Sequence, residues 1–295
     1  MASSAPLPTG RPVVVWGNCQ AEPVGALLAG PLAAHGATVV AVPPVFEATE
    51  EDLVRLRGLL AEAAALISQP VRDEYHVPGC GTAQLAALLP PDARLVTFPV
   101  TYDTSAFPFQ VNGHGADGLR VQAPLTDYHD LRALIAAERG LDVDAALAWW
   151  PEPEADAVRA NAAASVAELA RREADLDVTA SDLLGPDAMF TLSHPANSVL
   201  AGVAGRVLTA LGLDADVVEL PQREFLGERR APVEPAVVQA LGWPAAAVRE
   251  TWLVQGQPLA QPALIAEQLA FYTERPDVVA DARSRYAHRA AQLGL

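Results

Sequence analysis

Lysine is absent from this chain of 295 residues: all 20 basic residues are arginine. That excludes a lysine Schiff base and a Walker-type phosphate lysine. Positive charge is scarce as well. Against 36 acidic residues the formal net charge is −16, which argues against nucleic acid or an acidic membrane surface as partner. An anionic ligand would need a local group of arginines or a helix N-terminus. Cysteine is nearly missing. Cys19 and Cys80 are too few for a disulfide framework, and neither the cysteines nor the six histidines have metal-site spacing. No apolar run approaches the roughly 18 residues of a membrane span. The N-terminal stretch MASSAPLPTGRP has neither the basic start nor the apolar core of a secretory signal. The expectation is a cytoplasmic protein with no transmembrane segment, no metal and a flexible leader over residues 1–11.

What is present is a large apolar fraction, 51% of the residues, enough for a sizeable core. PVVVW at 12–16 ends at Gly17 and reads as a buried strand. A helix is expected over 20–34, a strand over 37–43, a helix over 50–64, a strand at 65–68, a helix at 82–89 and a strand at 94–99. This alternation predicts an α/β fold, a parallel sheet with helices on both faces. The period then breaks. Residues 99–125 read as a long aromatic loop, residues 126–185 as a helical insert, MFTLS at 189–193 as a last strand, and 194–212 as a helix. Residues 221–295 read as a helical C-terminal extension. The whole of 12–295 is expected to form one domain.

Four segments carry candidate chemistry. The first is GNCQ at 17–20, on the turn from the first strand into the first helix. Ligands of open α/β sheets bind beyond the carboxyl ends of the strands. There the helix N-terminus favours the Cys19 thiolate, and its free N–H groups can face an oxyanion. Gly17 allows the sharp turn, and Asn18 can cap the helix. A gap-filling cysteine is the plainer alternative, and it is the reading for Cys80. The second segment is HPANS at 194–198, where His194 can serve as a base for Cys19; alternatively Pro195 opens a helix and His194 merely precedes it. In the third, SQPVRDEY at 68–75, Ser68 and Gln69 can donate to an oxyanion. Arg72 can meet a phosphate, or pair with Asp73 or Glu74. The fourth, FPVTYDTSAFPF at 98–109, offers Tyr102 as a pocket wall and Asp103 as a group to orient His194, or it simply covers the core. REFLGERR at 223–230 is the densest basic cluster and supplies Arg223, Arg229 and Arg230 as further cations.

The order of GNCQ, a Q-P segment after the third strand, F-P-x-x-Y after the fourth and HPxN before a late helix resembles the WcbI family of polysaccharide-biosynthesis proteins. DYHDLRALIAAERGLDVDAAL also resembles that family's helical stretch. The likeness covers roughly residues 13–210. It implies an SGNH-hydrolase-like, flavodoxin-like three-layer fold that binds coenzyme A or acetyl-CoA. It also implies acyl transfer to a sugar hydroxyl during capsule or exopolysaccharide assembly. Carried over, Cys19 stands for the SGNH serine and His194 for its histidine. Asn18, Gln20, Ser68, Gln69 and Asn197 become oxyanion or supporting residues, and Gly17, Arg72 and Tyr102 coenzyme contacts. One departure is Thr191, which stands where SGNH enzymes carry the aspartate. Two other classes stay open: a cysteine esterase or thioesterase with the same site, and a non-catalytic binder of a nucleotide-like ligand. A homo-oligomer is compatible with all three.

Overall fold

The computed structural model describes residues 7–295. Its centre is a four-stranded sheet of β1 (Pro12–Trp16), β2 (Thr38–Val40), β3 (Ala65–Ser68) and β4 (Arg94–Thr97). The strands lie in the order β2-β1-β3-β4, with every pairing parallel. The connections are the helices α1 (Ala21–Ala34), α2 (Glu50–Leu60) and α3 (Thr82–Ala86). This is the expected α/β fold, and the strand sequences explain it. Successive side chains of a strand face opposite ways. In β1, Val13 and Val15 join one core with Val24, Leu27 and Leu28 of α1 and with Leu200, Val203 and Val207 of the helix Asn197–Ala210. Val14 and Trp16 join the other, with Leu53, Leu56 and Leu60 of α2 and Leu85 of α3. Strands apolar on both sides need cover on both sides.

The chain groups into two compact units. The first runs to Thr101 and adds Ala167–Ala188 and Ser193–Leu226; the second holds Tyr102–Val166, Met189–Leu192 and Gly227–Leu295. The first unit contains the parallel sheet. The second has its own core, in which Phe109, Leu131, Leu134, Tyr272 and Val278 pack together. It also carries the helices Leu131–Glu138, Val143–Trp149, Gln261–Glu274 and Pro276–Arg285, and a three-stranded antiparallel sheet of Arg229–Arg230, Trp252–Val254 and Gln257–Leu259. The expected insert and C-terminal extension are therefore helical but help to build a separate core.

Smaller differences have local causes. Residues 7–11 of the expected leader are held: Leu7 lies in the core, Gly10 N donates to Gly36 O at 2.7 Å, and Arg11 pairs with Asp92 at 2.7 Å. Residues 1–6 of that leader lie outside the described residues. The loop at 99–125 contains short antiparallel pairs, Gln110–Val111 with His129–Asp130 and Gly113–His114 with Arg120–Val121. The expected helical stretch at 126–185 therefore begins as an extended segment. Met189–Thr191 is a strand, but it lies outside the four-stranded sheet. Among the described residues, no helix is long and apolar enough to cross a membrane.

Leu28 is fully buried between sheet and helix, whereas Val54 on α2 is 66% exposed. Leu28→Ala should cost about 2–5 kcal/mol through lost burial and the cavity left behind. Val54→Ala should cost less than about 0.5 kcal/mol. Urea unfolding midpoints check both.

Candidate functional site

The parallel sheet brings the ends of β1, β3 and β4 to one edge, and the segments singled out in the sequence follow directly from those ends. After Trp16 the chain turns at Gly17, which is buried against Gln69: a Cβ at position 17 would overlap Gln69 Oε1. That oxygen accepts from Asn18 N at 2.7 Å. Asn18 Oδ1 in turn accepts from Gln20 N at 2.9 Å, and Ala21 N donates to Asn18 O at 2.9 Å. Cys19 is thus the half-buried middle residue of a turn pinned on both sides. Asn18 shapes this turn and does not cap α1, whose N-cap residue is Gln20.

Gln20 is 1% exposed. Its Nε2 donates to Thr101 O at 2.8 Å and to Ser193 O at 2.9 Å. Its Oε1 accepts from Thr101 N at 3.0 Å and from Gln69 Nε2 at 3.3 Å. A primary amide offers two donors and two acceptor lone pairs, so Gln20 is saturated. The bond to Ser193 O ties the residue after Cys19 to the residue before His194. The two segments named for nucleophile and base are therefore neighbours at one sheet edge. His194 is half-buried in the two-residue strand His194–Pro195, and the following helix begins at Asn197. Pro195 is not the first helical residue, so His194 stands clear of the helix.

The structure reassigns several expected oxyanion donors. Gln69 is 1% exposed and its Nε2 faces Gln20 Oε1 and Pro99 O, the latter at 3.4 Å. Ser68 is fully buried, its hydroxyl 2.8 Å from Gln69 O and 3.0 Å from Thr82 Oγ1. The backbone N–H of Gln20 is taken by Asn18. These groups brace the turn. Asn197 does something different: its amide holds the 221–225 loop by donating to Arg223 O at 2.9 Å and accepting from Phe225 N at 3.1 Å. Its own N–H donates to Glu224 Oε2 at 2.7 Å. It anchors a loop to the helix start.

Beside the turn lies a cleft of about 240 Å³, lined by Asn18, Val45, Gln69, Val71, Arg72, Tyr75 and Val100. Arg72 is exposed and lies over Tyr75 at 5.9 Å; among the described residues it makes no ion pair with Asp73 or Glu74. Sequence reasoning missed Thr101 and Val100, which take part through the backbone or as wall and carry no chemical signature. Cys80 is buried in the core, as its plain reading held, and its carbonyl accepts from Trp16 Nε1 at 3.0 Å.

Other candidates belong to the second unit. Asp103 is buried, and its Oδ1 accepts from Ser105 N, Ser105 Oγ and Ser165 Oγ at 3.0, 2.6 and 2.8 Å. That oxygen is committed to those hydroxyls. Tyr102 is half-buried; burial pushes its phenol pKa up, so it keeps its proton. Thr191 Oγ1 donates to Tyr128 Oη at 3.3 Å. Arg229 pairs with Asp127 at 3.3 Å, and Arg230 lies over Phe190 at 4.4 Å. The basic cluster near 223–230 therefore does not act as one patch. Among the described residues, no group of three His, Cys, Asp or Glu side chains is placed to hold a metal ion.

A family model described as polysaccharide biosynthesis enzyme WcbI matches residues 12–216, more than half of the chain. A solved structure of WcbI matches with a TM-score of 0.78 over 95% of this chain and 95% of its own, at 19% identity. That protein is described as a novel polysaccharide biosynthesis enzyme, here the native protein without a disulfide bond between coenzyme A and a cysteine. At this identity the likeness is one of fold. Among curated proteins none matches.

Gln20→Leu strands the Thr101 N–H and the Thr101 and Ser193 carbonyls. It should cost about 3 kcal/mol or more, since each of these three groups left unpaired carries a penalty of about 1–3 kcal/mol. Arg72→Ala, at an exposed site, should stay within about 0.5 kcal/mol. A Gln20→Leu protein that unfolds at the wild-type urea concentration would contradict the role given to this amide.

Proposed function

The chain belongs to the WcbI family of polysaccharide biosynthesis enzymes, and from that premise we propose that it transfers an acyl group such as acetyl from coenzyme A to a sugar hydroxyl, with Cys19 as nucleophile and His194 as base. The observation that carries this reading is the Gln20 Nε2 bond to Ser193 O at 2.9 Å. It supports a cysteine turn and a histidine strand held together at the carboxyl edge of the sheet, where open α/β sheets bind ligands. The relative whose description pairs coenzyme A with one of its cysteines supports the choice of donor.

The residues present fit such a donor. The cleft beside Asn18 is walled by Val45, Val71 and Val100, with Arg72 at hand. Apolar walls suit an alkyl-amide arm, and an exposed guanidinium suits a phosphate. In the first step His194 takes the Cys19 proton, and the thiolate attacks the thioester carbonyl. The C–S bond to the coenzyme breaks, the proton passes from His194 to the departing thiolate, and the acyl group remains on Cys19. In the second step His194 takes the proton of the acceptor hydroxyl, whose oxygen attacks the acyl-cysteine carbonyl; the C–S bond to Cys19 breaks, and the proton passes from His194 to the departing Cys19 thiolate. With Gln20 and Gln69 committed elsewhere, the Asn18 side-chain amide beside the cleft is the donor assigned to the oxyanion. One such donor is worth about 10²–10³ in rate. The aspartate replaced by Thr191 is dispensable in this scheme, because a thiol ionises far more readily than a hydroxyl.

Brief incubation with acetyl-CoA, acid quench and peptide mass spectrometry should find acetyl on the Cys19 peptide, and none in Cys19→Ala. Asn18→Ala should slow acetylation about 100-fold, and His194→Ala about 10²–10⁴-fold. Coenzyme at about 100 times its dissociation constant should raise stability by about 2.7 kcal/mol. Steady release of free thiol without any sugar would identify a thioesterase instead. Full transfer activity in Cys19→Ala would leave direct attack by a His194-activated acceptor.

A further inference from the structure

The second unit holds a cavity of about 540 Å³, within the range of small-molecule sites. None of the chemistry above uses it. Its lining combines aromatic rings with carboxylates. Trp252 is 8% exposed and Tyr128 2%, and both line it together with Trp150. Four carboxylates, Asp130, Glu152, Glu234 and Glu250, line the same space against a single guanidinium, Arg132.

That guanidinium is largely committed to groups of the protein. Its Nε and NH2 hold both oxygens of Asp130, at 3.0 and 2.8 Å. NH2 also meets Glu234 at 2.8 Å, and NH1 donates to Pro151 O at 3.3 Å. Its plane lies over Phe109 at 3.9 Å and Trp150 at 4.5 Å. His129 adds no positive charge, because burial pulls its pKa down. The cavity therefore repels phosphates and carboxylates, and it does not suit the pyrophosphate of a coenzyme. What it presents is apolar ring surface beside a surplus of hydrogen-bond acceptors. One acceptor is buried: Gln110 is 7% exposed and lines the cavity, and its Oε1 has no hydrogen-bond partner among the described residues. Buried polar atoms are rarely left unpaired, and an orphan acceptor calls for a donor.

We propose that this cavity binds an uncharged glycosyl ring, its C–H face on the Trp252 and Trp150 surface and its hydroxyls donating to the carboxylates and to Gln110. A pyranose is rich in hydroxyl donors and has an apolar face, which match the acceptors and the rings of the wall, and it carries no negative charge for the carboxylates to repel. The choice of a sugar rests on the acyl-transfer reading above, in which a sugar is the acceptor; the exclusion of an anion rests on the cavity alone.

The test is saturation-transfer difference NMR on the full chain without coenzyme. The probes are the methyl pyranosides of glucose, galactose and mannose, with methyl glucuronide, glucose 1-phosphate and choline as charged comparators. Transfer to at least one neutral glycoside is expected, undiminished in Cys19→Ala, with none to the two anions and less to choline. Ala236→Trp fills the cavity from the helix Pro235–Leu241 and should weaken binding about tenfold, provided thermal unfolding shows the variant folded. Glu152→Gln with Glu250→Gln, both at exposed positions, preserves the core. It should weaken the neutral glycoside about threefold and admit the glucuronide. The proposal falls if no neutral glycoside receives saturation, if a charged comparator binds better, if Cys19→Ala abolishes the signal, or if the double variant changes nothing. Sugar binding with no acetyl adduct on Cys19 would keep this cavity and remove the transferase reading.

Discussion

The side-chain amide of Gln20 is the junction on which the candidate site depends. It reaches Thr101, beyond the end of β4, with both donor and acceptor. It reaches Ser193, beside His194, with its second hydrogen, and Gln69, beyond β3, with its second lone pair. The partners leave no choice of orientation. A backbone N–H at Thr101 demands the oxygen, and two carbonyls demand the nitrogen. Bonds made away from water also resist competition from solvent. The turn holding Cys19 is therefore set by segments 81 and 173 residues away in sequence, and less by its own conformational preferences.

A second set of constraints works from below. Gly17 must be glycine because Gln69 occupies the space of a Cβ, and the same Gln69 oxygen receives the Asn18 N–H. Gln69 is fixed in turn by Ser68 and Thr82, whose hydroxyls gather at its carbonyl. Four polar residues that look like catalytic donors in the sequence are thus a buried scaffold, and the one oriented polar side chain lining the cleft from the turn is Asn18. Positioning a reactive group needs a rigid surround more than it needs extra donors.

Much of the first unit was legible in the sequence. The runs PVVVW and ALIS are apolar on both faces, which is the mark of a strand covered twice, and β1 and β3 fall on them residue for residue. GNCQ and HPANS stood out because a cysteine and a histidine beside strand ends are chemically conspicuous. What could not be read was the destination of the amides. Gln20, Gln69 and Asn197 bond largely to backbone atoms of distant segments, and a backbone atom carries no residue signature. The second core was hidden for a related reason. The helices at 131–149 look like a cover for the sheet until Tyr272 and Val278, more than 120 residues on, are seen to complete their core.

The absence of lysine takes on physical meaning in the second unit. Arg132 is packed between Phe109 and Trp150 while gripping Asp130 with two nitrogens. Arg139 lies over Trp149 at 4.4 Å, and Arg249 over Phe107 at 5.7 Å. A flat, weakly hydrated guanidinium can stack on a ring and still direct its hydrogens in the plane; a compact ammonium cannot do both. Arg132 works as a flat core piece carrying a charge that Asp130 and Glu234 neutralise. It is therefore largely withdrawn from ligand binding, which is why counting basic residues misleads in this chain. A cation able to meet an anion is one that is exposed and outside such ion pairs. In the first unit Arg72 meets that condition: it is exposed, borders the cleft beside Asn18, lies over Tyr75, and makes no ion pair among the described residues.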